Sequence, residues 1–301
     1  MLPENLRQHF SPLVSAWNEQ KISVEFHEYP GNKIPGEDYI SEAAKGFNAI
    51  MLAGNSRVAP ATVISKPFIT LDRTKIPVGW LPVKNPATLL KFVRTATSIQ
   101  KRKKKAITIG LLSQRLPKYL KVADKMENEL KGQASRIKSF RWTSELVFPE
   151  DMLTGINCGL GAAIYLGHGR PVGWAGYYGI RMHHFLDFVN EPAGTIISLC
   201  CHTASRRNVG ISFSENLVMD GISASAFGAI KSTLFTDNTR WAVNICHSLE
   251  KGITTIGELI ADASPMSLSG VNSYRLIGDP FAPLFSSSEA VRAAKKIKIY
   301  Y

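Results

Sequence analysis

Short runs of apolar and β-branched residues alternate along this chain with segments whose apolar positions recur every three to four residues. The first pattern is typical of buried strands and the second of amphipathic helices. Their alternation predicts an α/β fold, a mostly parallel sheet with helices on both faces. The predicted strands are Ile22–Tyr29, Ala49–Ala53, Ala106–Leu112, Arg136–Trp142, Ala163–Leu166, Thr195–Cys200 and Phe227–Lys231, and the predicted helices are Leu6–Trp17, Ser41–Phe47, Pro86–Ser98, Pro117–Lys131, Pro149–Asn157, Arg181–Val189, Ser214–Ile222, Asn238–Glu250 and Ile256–Ser264.

A basic run, Lys101–Lys105, follows the helix predicted at Pro86–Ser98 and marks a boundary. We expect a smaller N-terminal α/β subdomain over 1–105, a larger catalytic subdomain over 106–288 and a basic C-terminal tail over 289–301. Five consecutive cations can contact nucleic acid. Cations at a helix end also complement the helix dipole, and no aromatic residues alternate with these to stack on bases. A solvated helix end is therefore the favoured interpretation.

Two of the predicted strands end in residues capable of covalent or proton-transfer chemistry. Ala163–Leu166 runs into His168, which lies between two glycines, and Thr195–Cys200 is followed by Cys201. His168 and Cys201 are 201 − 168 = 33 residues apart, a gap that fits one crossover through a helix. If the two strands are parallel neighbours, both side chains emerge at one edge of the sheet, where α/β proteins place their sites.

This pair of residue types is suited to acyl transfer. A cysteine attacks a carbonyl as its thiolate, and a neighbouring His takes or shares the proton. Gly169 has no Cβ, so its backbone can approach a substrate, and its N–H and that of Cys201 could receive the oxygen of a tetrahedral intermediate. Two structural alternatives remain: a simple turn around His168, and inert core cysteines at Cys200 and Cys201.

Sequence motifs around both residues resemble a known family. Tyr165-Leu166-Gly167-His168-Gly169-Arg170, with Trp174 close behind, is similar to the Y-x-G-H-G … W segment of the gingipain-type cysteine peptidases, which belong with the caspases and CHAT peptidases. The segment Ser198–Ala204 resembles their nucleophile segment. In that register Cys201 is the nucleophile and Cys200 points into the core.

Three further segments extend the resemblance from Ala49 to Leu284. Ala49–Gly54 and Ile76–Val83 are similar to the L-L-V-G-D … I-G-R-L-P-V region of these peptidases, and Tyr274–Pro280 to their closing L-x-G-D-P strand end. The resemblance implies a caspase-like fold and an endopeptidase that cleaves a protein substrate with a Cys–His dyad. It implies no metal or organic cofactor.

The chain departs from the family where substrate preference is set. Arginine-specific gingipains have an acid beside the specificity pocket, before the helix equivalent to Pro117–Lys131, and a Glu near the position of Ser113 that supports the catalytic His. Here Ser113 and Gln114 stand in that region, and they are poorer substitutes for that Glu. Arg115 or Lys118 would favour an acidic substrate side chain by charge pairing. Asp237, in a loop expected to form part of the pocket wall, would favour a basic one, and Trp174 is a further candidate for the cleft wall. We favour a preference other than arginine.

Charge and cysteine content indicate which partners and which cellular compartment suit this protein. The formal net charge is +12 and the pI about 9.5, which favours acidic partners, with nucleic acid open but less favoured. Four cysteines without regular spacing argue against a disulfide framework or a zinc cluster and fit a reducing compartment. The first residues lack the pattern of a signal peptide, and no apolar run is long enough to span a bilayer. We therefore expect a cytoplasmic protein.

The resemblance and this setting together suggest a regulated intracellular processing peptidase. By analogy with prokaryotic caspase-like proteins, we expect a role in antiviral defence or cell death, with an activating partner and a pore-forming or other effector protein as substrate. The alternatives are a general degradative gingipain-like protease and a non-catalytic caspase-like binding protein. His183, His184 and His202 are expected to be surface or packing residues.

Overall fold

The computed structural model describes residues 1–3, 6–29, 34–132, 136–187 and 191–300. Its strands are β1 (Leu2–Pro3), β2 (Glu28–Tyr29), β3 (Ile50–Asn55), β4 (Phe68–Leu71), β5 (Thr74–Val83), β6 (Ala106–Ser113), β7 (Ile137–Thr143), β8 (Ala162–Leu166), β9 (Gly169–Arg170), β10 (Gly173–Trp174), β11 (Ala193–Leu199), β12 (Ser223–Ala229), β13 (Tyr274–Gly278) and β14 (Phe285–Ser286). Its helices are α1 (Ser11–Glu19), α2 (Glu37–Ala43), α3 (Pro86–Gln100), α4 (Pro117–Lys131), α5 (Pro149–Ile156), α6 (Met182–Leu186), α7 (Phe213–Met219), α8 (Phe235–Glu250), α9 (Ile256–Ala263), α10 (Leu268–Asn272) and α11 (Ser288–Lys295), with 3₁₀ turns at Arg7–Phe10 and Pro60–Thr62.

A ten-stranded sheet forms the centre of the described structure. Five strands are mutually parallel in the order β7-β6-β8-β11-β12, and three more, β13-β5-β3, are parallel to one another but run the opposite way. The two groups meet at the antiparallel pair β12–β13, and β4 and β14 add antiparallel edges to β5 and β6. The predicted α/β class with a mostly parallel sheet is confirmed.

Helices cover both faces of this sheet. On one face, Trp241 of α8 packs at 5.0 Å, centroid to centroid, on Phe227, which is paired with Ile197. On the other face, Phe213 of α7 packs on Trp174, whose indole N–H bonds to Ser198. Neighbouring residues of a strand point to opposite faces, so Ile197 and Ser198 separate the two helix layers. The α8 layer also contains α4, and the α7 layer contains α3.

Local sequence signals account for several helix boundaries. The helix α4 begins at Pro117 and ends at Lys131, as predicted, with Gly132 as its C-cap. The helix α3 is two residues longer than predicted; the side chain of Asn85 accepts the Thr88 N–H at 2.9 Å and caps its start. In both helices, apolar residues recur with the helical period over several turns, and this periodicity was enough to predict the helices from the sequence.

The N-terminal region differs most from the sequence-based prediction. The strand predicted at Ile22–Tyr29 is wrong over most of its length, because only Glu28–Tyr29 pairs, with Leu2–Pro3. The apolar alternation of the remaining residues reflects packing against the core without a ladder. The helix predicted at Ser41–Phe47 instead occupies Glu37–Ala43, since the backbone turns left-handed at Gly46, with φ 82°.

The basic run Lys101–Lys105 is partly drawn into the fold. Arg102 donates to the carbonyl oxygens of Gly159 at 2.9 Å and Pro192 at 2.6 Å, and Lys101 pairs with Glu19 at 3.1 Å. These contacts agree with a helix end that serves the structure. The predicted boundary after this run falls between α3 and β6, and strands from both sides of it share the one sheet.

The predicted C-terminal tail contains a helix. α11 is capped by Ser287 and buries Ala290 and Ala294. Further on, the ring of Tyr300 packs at 4.8 Å on Phe148. Two predicted segment ends, Val189 and Tyr301, lie outside the described residues.

Candidate active site

Parallel pairing of β8 with β11 brings the two candidate catalytic residues to one edge of the sheet. Leu166 is paired with Leu199 at the ends of these strands, and His168 and Cys201 each follow two residues later. Equal spacing from a matched pair brings both residues to the same end of the two strands. Tyr119 of α4 packs on the ring of His168, and Thr233, just before α8, lies against the sulfur of Cys201. The single crossover expected between the two strands is present and contains α6.

The loop that carries His168 lies directly against the loop that carries Cys201. A Cβ added to Gly169 would be 2.4 Å from the carbonyl oxygen of Cys201 and 2.5 Å from the sulfur of Cys200. Real Cβ contacts are not this short, so only glycine allows the two loops to touch. The close approach that the sequence suggested for Gly169 is therefore made to the nucleophile segment itself.

Three hydrogen bonds fix the backbone of His168. Its carbonyl oxygen accepts the Tyr165 hydroxyl at 3.0 Å and the Ala175 N–H at 2.9 Å, and its N–H donates to Oε1 of Gln114 at 3.1 Å. Gln114 thus supports the loop through the main chain, whereas Ser113 is buried and hydrogen-bonded to Thr143. The support is neutral, where the gingipain-type pattern has a carboxylate.

The imidazole of His168 is exposed and packs edge-on against Tyr119, with ring centroids 5.5 Å apart. Tyr119 is in the first turn of α4 and is almost fully buried. Partial desolvation lowers the pKa of His168 below its ordinary value, and the neighbouring cation of Lys118 lowers it further. Both effects favour the neutral imidazole, the form that can accept a proton.

The two adjacent cysteines have different surroundings. Cys201 is half-buried, and its sulfur accepts the Thr233 N–H at 3.4 Å and lies 3.5 Å from the Thr233 hydroxyl. Cys200 is fully buried, and burial raises the pKa of its thiol well above the ordinary value. Thiolate chemistry is therefore disfavoured at Cys200.

A buried ion pair anchors the chain that follows Cys201. Arg206 Nε donates to Glu215 at 2.9 Å, and Glu215, at 0 % exposure, also accepts the N–H and hydroxyl of Ser212. His202 adopts a left-handed backbone, φ 65°, and its Nε2 is 2.9 Å from the Ser232 hydroxyl. These contacts tie the nucleophile segment to α7 and to the loop after β12.

The four residues predicted for the substrate pocket are not equivalent. Lys118 lies over the rings of Tyr119 and Phe235, beside the imidazole, and is exposed. Arg115 lies in the loop just before α4 and pairs with Glu145 at 3.6 Å.

Trp174 and Asp237 are buried, with 1 % and 3 % of their surface exposed. Trp174 stacks on Tyr165 at 4.6 Å. Asp237 accepts the hydroxyls of Ser267 at 2.9 Å and Ser269 at 3.1 Å. Neither residue presents a free polar group to an open cleft, because packing and internal hydrogen bonds already occupy both.

Sequence reasoning missed Tyr165, Tyr119 and Thr233 as residues that contact the site. Tyr165 is part of the histidine motif, and Tyr119 is in the first turn of a correctly predicted helix, so the sequence located both residues within predicted elements. It did not reveal their contacts with residues far away in sequence. No local pattern marks Thr233, which reaches Cys201 through the loop between β12 and α8.

Comparisons with known proteins bear on the family and the fold. The family model described as Peptidase family C25 matches residues 50–285. The complex of the pro- and mature domains of RgpB from Porphyromonas gingivalis aligns with a TM-score of 0.71 and 12 % identity, over 94 % of this chain and 78 % of that chain. The Arg-specific cysteine proteinase gingipain R (RgpB) aligns with 0.71 and 11 %, over 94 % and 77 %. A structure described only as a protease aligns with 0.69 and 13 %, over 94 % and 77 %.

At these identities the structural matches establish the shared fold alone. No curated protein matches the sequence of this chain. Within the described ranges, none of the helices is long and apolar enough to cross a membrane.

Proposed function

Because the chain belongs to peptidase family C25 and is a cysteine peptidase, we propose that Cys201 is its nucleophile and His168 its general base and acid. The observation that carries this assignment is the strand register. Leu166 is paired with Leu199, and His168 and Cys201 each follow two residues later at the same edge of the sheet. The contact of Gly169 with the Cys201 carbonyl supports a common cleft. We therefore adopt the catalytic interpretation of His168 and Cys201 in place of a simple turn and inert core cysteines.

The reaction proceeds by two acyl transfers. His168 takes the thiol proton as the Cys201 sulfur bonds to the scissile carbonyl carbon. The resulting imidazolium donates that proton to the leaving amine as the carbon–nitrogen bond breaks, which leaves a thioester. Water then attacks the thioester with His168 as base, and the products are a carboxylic acid and the free thiol. The lowered pKa of His168 keeps the base neutral between turnovers.

The oxyanion forms beside two backbone N–H groups, those of Gly169 and Cys201. Within the described part of the chain, the Cys201 N–H has no hydrogen-bond acceptor, so it is available to an incoming oxygen. Preorganised donors of this kind typically contribute about 10²–10³ in kcat each. The fixed backbone of His168, held by Gln114 and Tyr165, keeps the Gly169 donor in position.

Paired cysteine variants test the assignment. Cys201→Ala should abolish both peptide hydrolysis and labelling by a thiol-reactive peptidyl probe, whereas Cys200→Ala should keep both, because Cys200 is buried. His168→Ala should keep a folded protein but lose hydrolysis. Labelling of Cys200, or hydrolysis that survives Cys201→Ala, contradicts the assignment. Binding without any labelling of the wild type would favour the non-catalytic alternative.

We propose further that the enzyme is a regulated intracellular processing peptidase that acts on one partner protein, such as a pore-forming or other effector protein in antiviral defence, with an activating partner. Charge beside the proposed catalytic pair supports selective cleavage. Lys118 is exposed beside the imidazole, whereas the carboxylate of Asp237 is bonded to two serine hydroxyls and to Arg240 at 3.3 Å. A pocket with this charge favours acidic over basic side chains before the scissile bond.

A cleavage profile separates this role from general degradation. A peptide library should give few cleavage sites, with acidic residues favoured and arginine disfavoured before the scissile bond, and an unrelated unfolded protein should be digested slowly. Broad digestion of the unfolded protein, or cleavage after arginine, would favour the degradative alternative. Fractionation of the native cells tests the intracellular location, and an enzyme found outside them would refute it.

A further inference from the structure

A cationic cavity lies on the segment that follows His168. The cavity has a volume of about 330 Å³ and is formed by the β9–β10 hairpin, the turn after it and the start of α6. Four of its lining residues carry positive charge or can gain it: Arg170, Arg181, His183 and His184. Neither arginine has a role in the mechanism above.

The backbone around this cavity is fixed. A Cβ on Gly173 would lie 1.9 Å from the carbonyl oxygen of Ile180, so the hairpin and the returning chain touch. Tyr177 and Tyr178 both adopt left-handed backbones, with φ 55° and 61°, and the Tyr177 N–H donates to the Ser144 hydroxyl at 2.9 Å. The cavity is thus formed before any ligand binds, which limits the entropy lost on binding.

Burial lowers the pKa of His184 and Glu150 lies close enough to oppose this shift, but the two arginines of the cavity lack a paired acid among the described residues. Arg170 and Arg181 are exposed, and among the residues that the structure describes neither guanidinium has a carboxylate within salt-bridge distance. Two other arginines near the catalytic edge differ: Arg206 pairs with Glu215, and Arg115 pairs with Glu145. Guanidinium groups bind carboxylates through paired N–H donors, so this cavity is suited to a carboxylate from another molecule.

The proposed mechanism determines which part of a substrate reaches this cavity. His168 protonates the leaving amine, so the leaving half of the peptide lies on the His168 side of the thiol. The hairpin begins at Gly169, the next residue. On the Cys201 side, Thr233 borders the sulfur and would flank the acyl half.

We propose that the cavity is a subsite for acidic side chains in the first few residues after the scissile bond of a protein substrate. This inference rests on the proposed function and names the chemistry of the leaving half of its substrate. Val172 and Tyr178, 40 % and 83 % exposed, line the same cavity and would contact the apolar stem of the acidic side chain. Because the arginine charges are exposed, we expect the subsite to strengthen substrate binding only modestly, and we expect salt to weaken this effect.

Matched quenched-fluorescent peptides test the subsite. All share one acyl half that the wild type cleaves, and they differ in carrying two Asp, two Asn or two Lys at the second and third positions after the scissile bond. The wild type should cleave the Asp peptide with a kcat/KM about three- to tenfold above the Asn peptide, mostly through KM, and should cleave the Lys peptide least. The double variant Arg170→Gln, Arg181→Gln should lose this preference, while a double Lys variant should keep it. Arg94→Gln, at an exposed arginine on α3 that does not line the cavity, is compared with each single variant, Arg170→Gln and Arg181→Gln, as the control for the loss of one positive charge.

A second measurement separates failure of the subsite from failure of the proposed function. In the Cys201→Ala background, fluorescence anisotropy should detect tighter binding of the labelled Asp peptide than of the Asn peptide, and the Arg170, Arg181 change should remove the difference. Equal kcat/KM for Asp and Asn peptides, or a preference that survives both arginine changes, overturns the subsite alone. Hydrolysis that survives Cys201→Ala overturns the catalytic assignment instead.

Discussion

Replacing Gly169 with Ala is the sharpest test of the common cleft. The substitution adds one methyl group at a residue whose backbone is not left-handed, so the effect is steric. The new carbon would lie 2.4 Å from the Cys201 oxygen and 2.5 Å from the Cys200 sulfur. Ordinary carbon contacts are about 3.5 Å, so the two loops must separate by about 1 Å.

The expected loss follows from that displacement. Misplacement of a catalytic group by about 1 Å costs on the order of 10² in rate, and loss of one oxyanion donor costs about 10²–10³. We therefore expect kcat to fall by about 10²–10³. Overpacking of this size lowers the free energy of unfolding by about 1–3 kcal/mol, which should leave the variant folded.

The assay combines hydrolysis of a fluorogenic peptide with urea unfolding. Gly210→Ala is the matched control, because a Cβ there meets nothing within 4 Å and the backbone is not left-handed; it should keep kcat/KM and stability. If Gly169→Ala retains kcat/KM within about twofold of the wild type, the two loops do not form one oxyanion site, and the argument from the close contact fails.

Three further predictions concern charge. Lys118→Gln removes a cation that lowers the pKa of His168, so the acidic limb of the kcat/KM profile should move to higher pH. Lys118→Arg keeps the cation and should leave the limb in place. A shift of the limb to lower pH in Lys118→Gln contradicts the role of Lys118. Burial raises the pKa of Asp279 to about 6 from 3.8, so the protonated form is favoured in the folded state and stability falls as pH rises through this range. Urea unfolding should show that Asp279→Asn removes a decline of about 3 kcal/mol between pH 3 and 7, and parallel curves would refute it. Arg206→Leu leaves the carboxylate of Glu215 buried without its cation and should lower the free energy of unfolding by about 3–5 kcal/mol in the same assay. Glu215→Gln should lower it less, because the arginine left behind is 12 % exposed. Equal losses in the two variants would contradict the burial argument.

The sequence by itself determined the class of the fold, the family and the identity of the two candidate catalytic residues. Long amphipathic helices such as α4 have a period that needs no tertiary information. The segments around His168 and Cys201 combine apolar strands with motifs of peptidase family C25, and the family match confirms that resemblance. Short elements were beyond this reasoning, since the two-residue strands β9 and β10 are too short for any period to be recognised.

Only the tertiary structure decided the surroundings of the site. Gln114 supports His168 across 54 residues, and Thr233 reaches Cys201 across 32. Asp237 has a suitable charge, but it lies in the first turn of α8 and not in the predicted loop, and its carboxylate accepts two serine hydroxyls from a later segment. Sequence patterns record the periodicity of burial along one element, whereas hydrogen-bond partners and cavities depend on how separate elements pack. For that reason the cationic cavity at Arg170 and Arg181 became visible only when the hairpin and α6 were placed together.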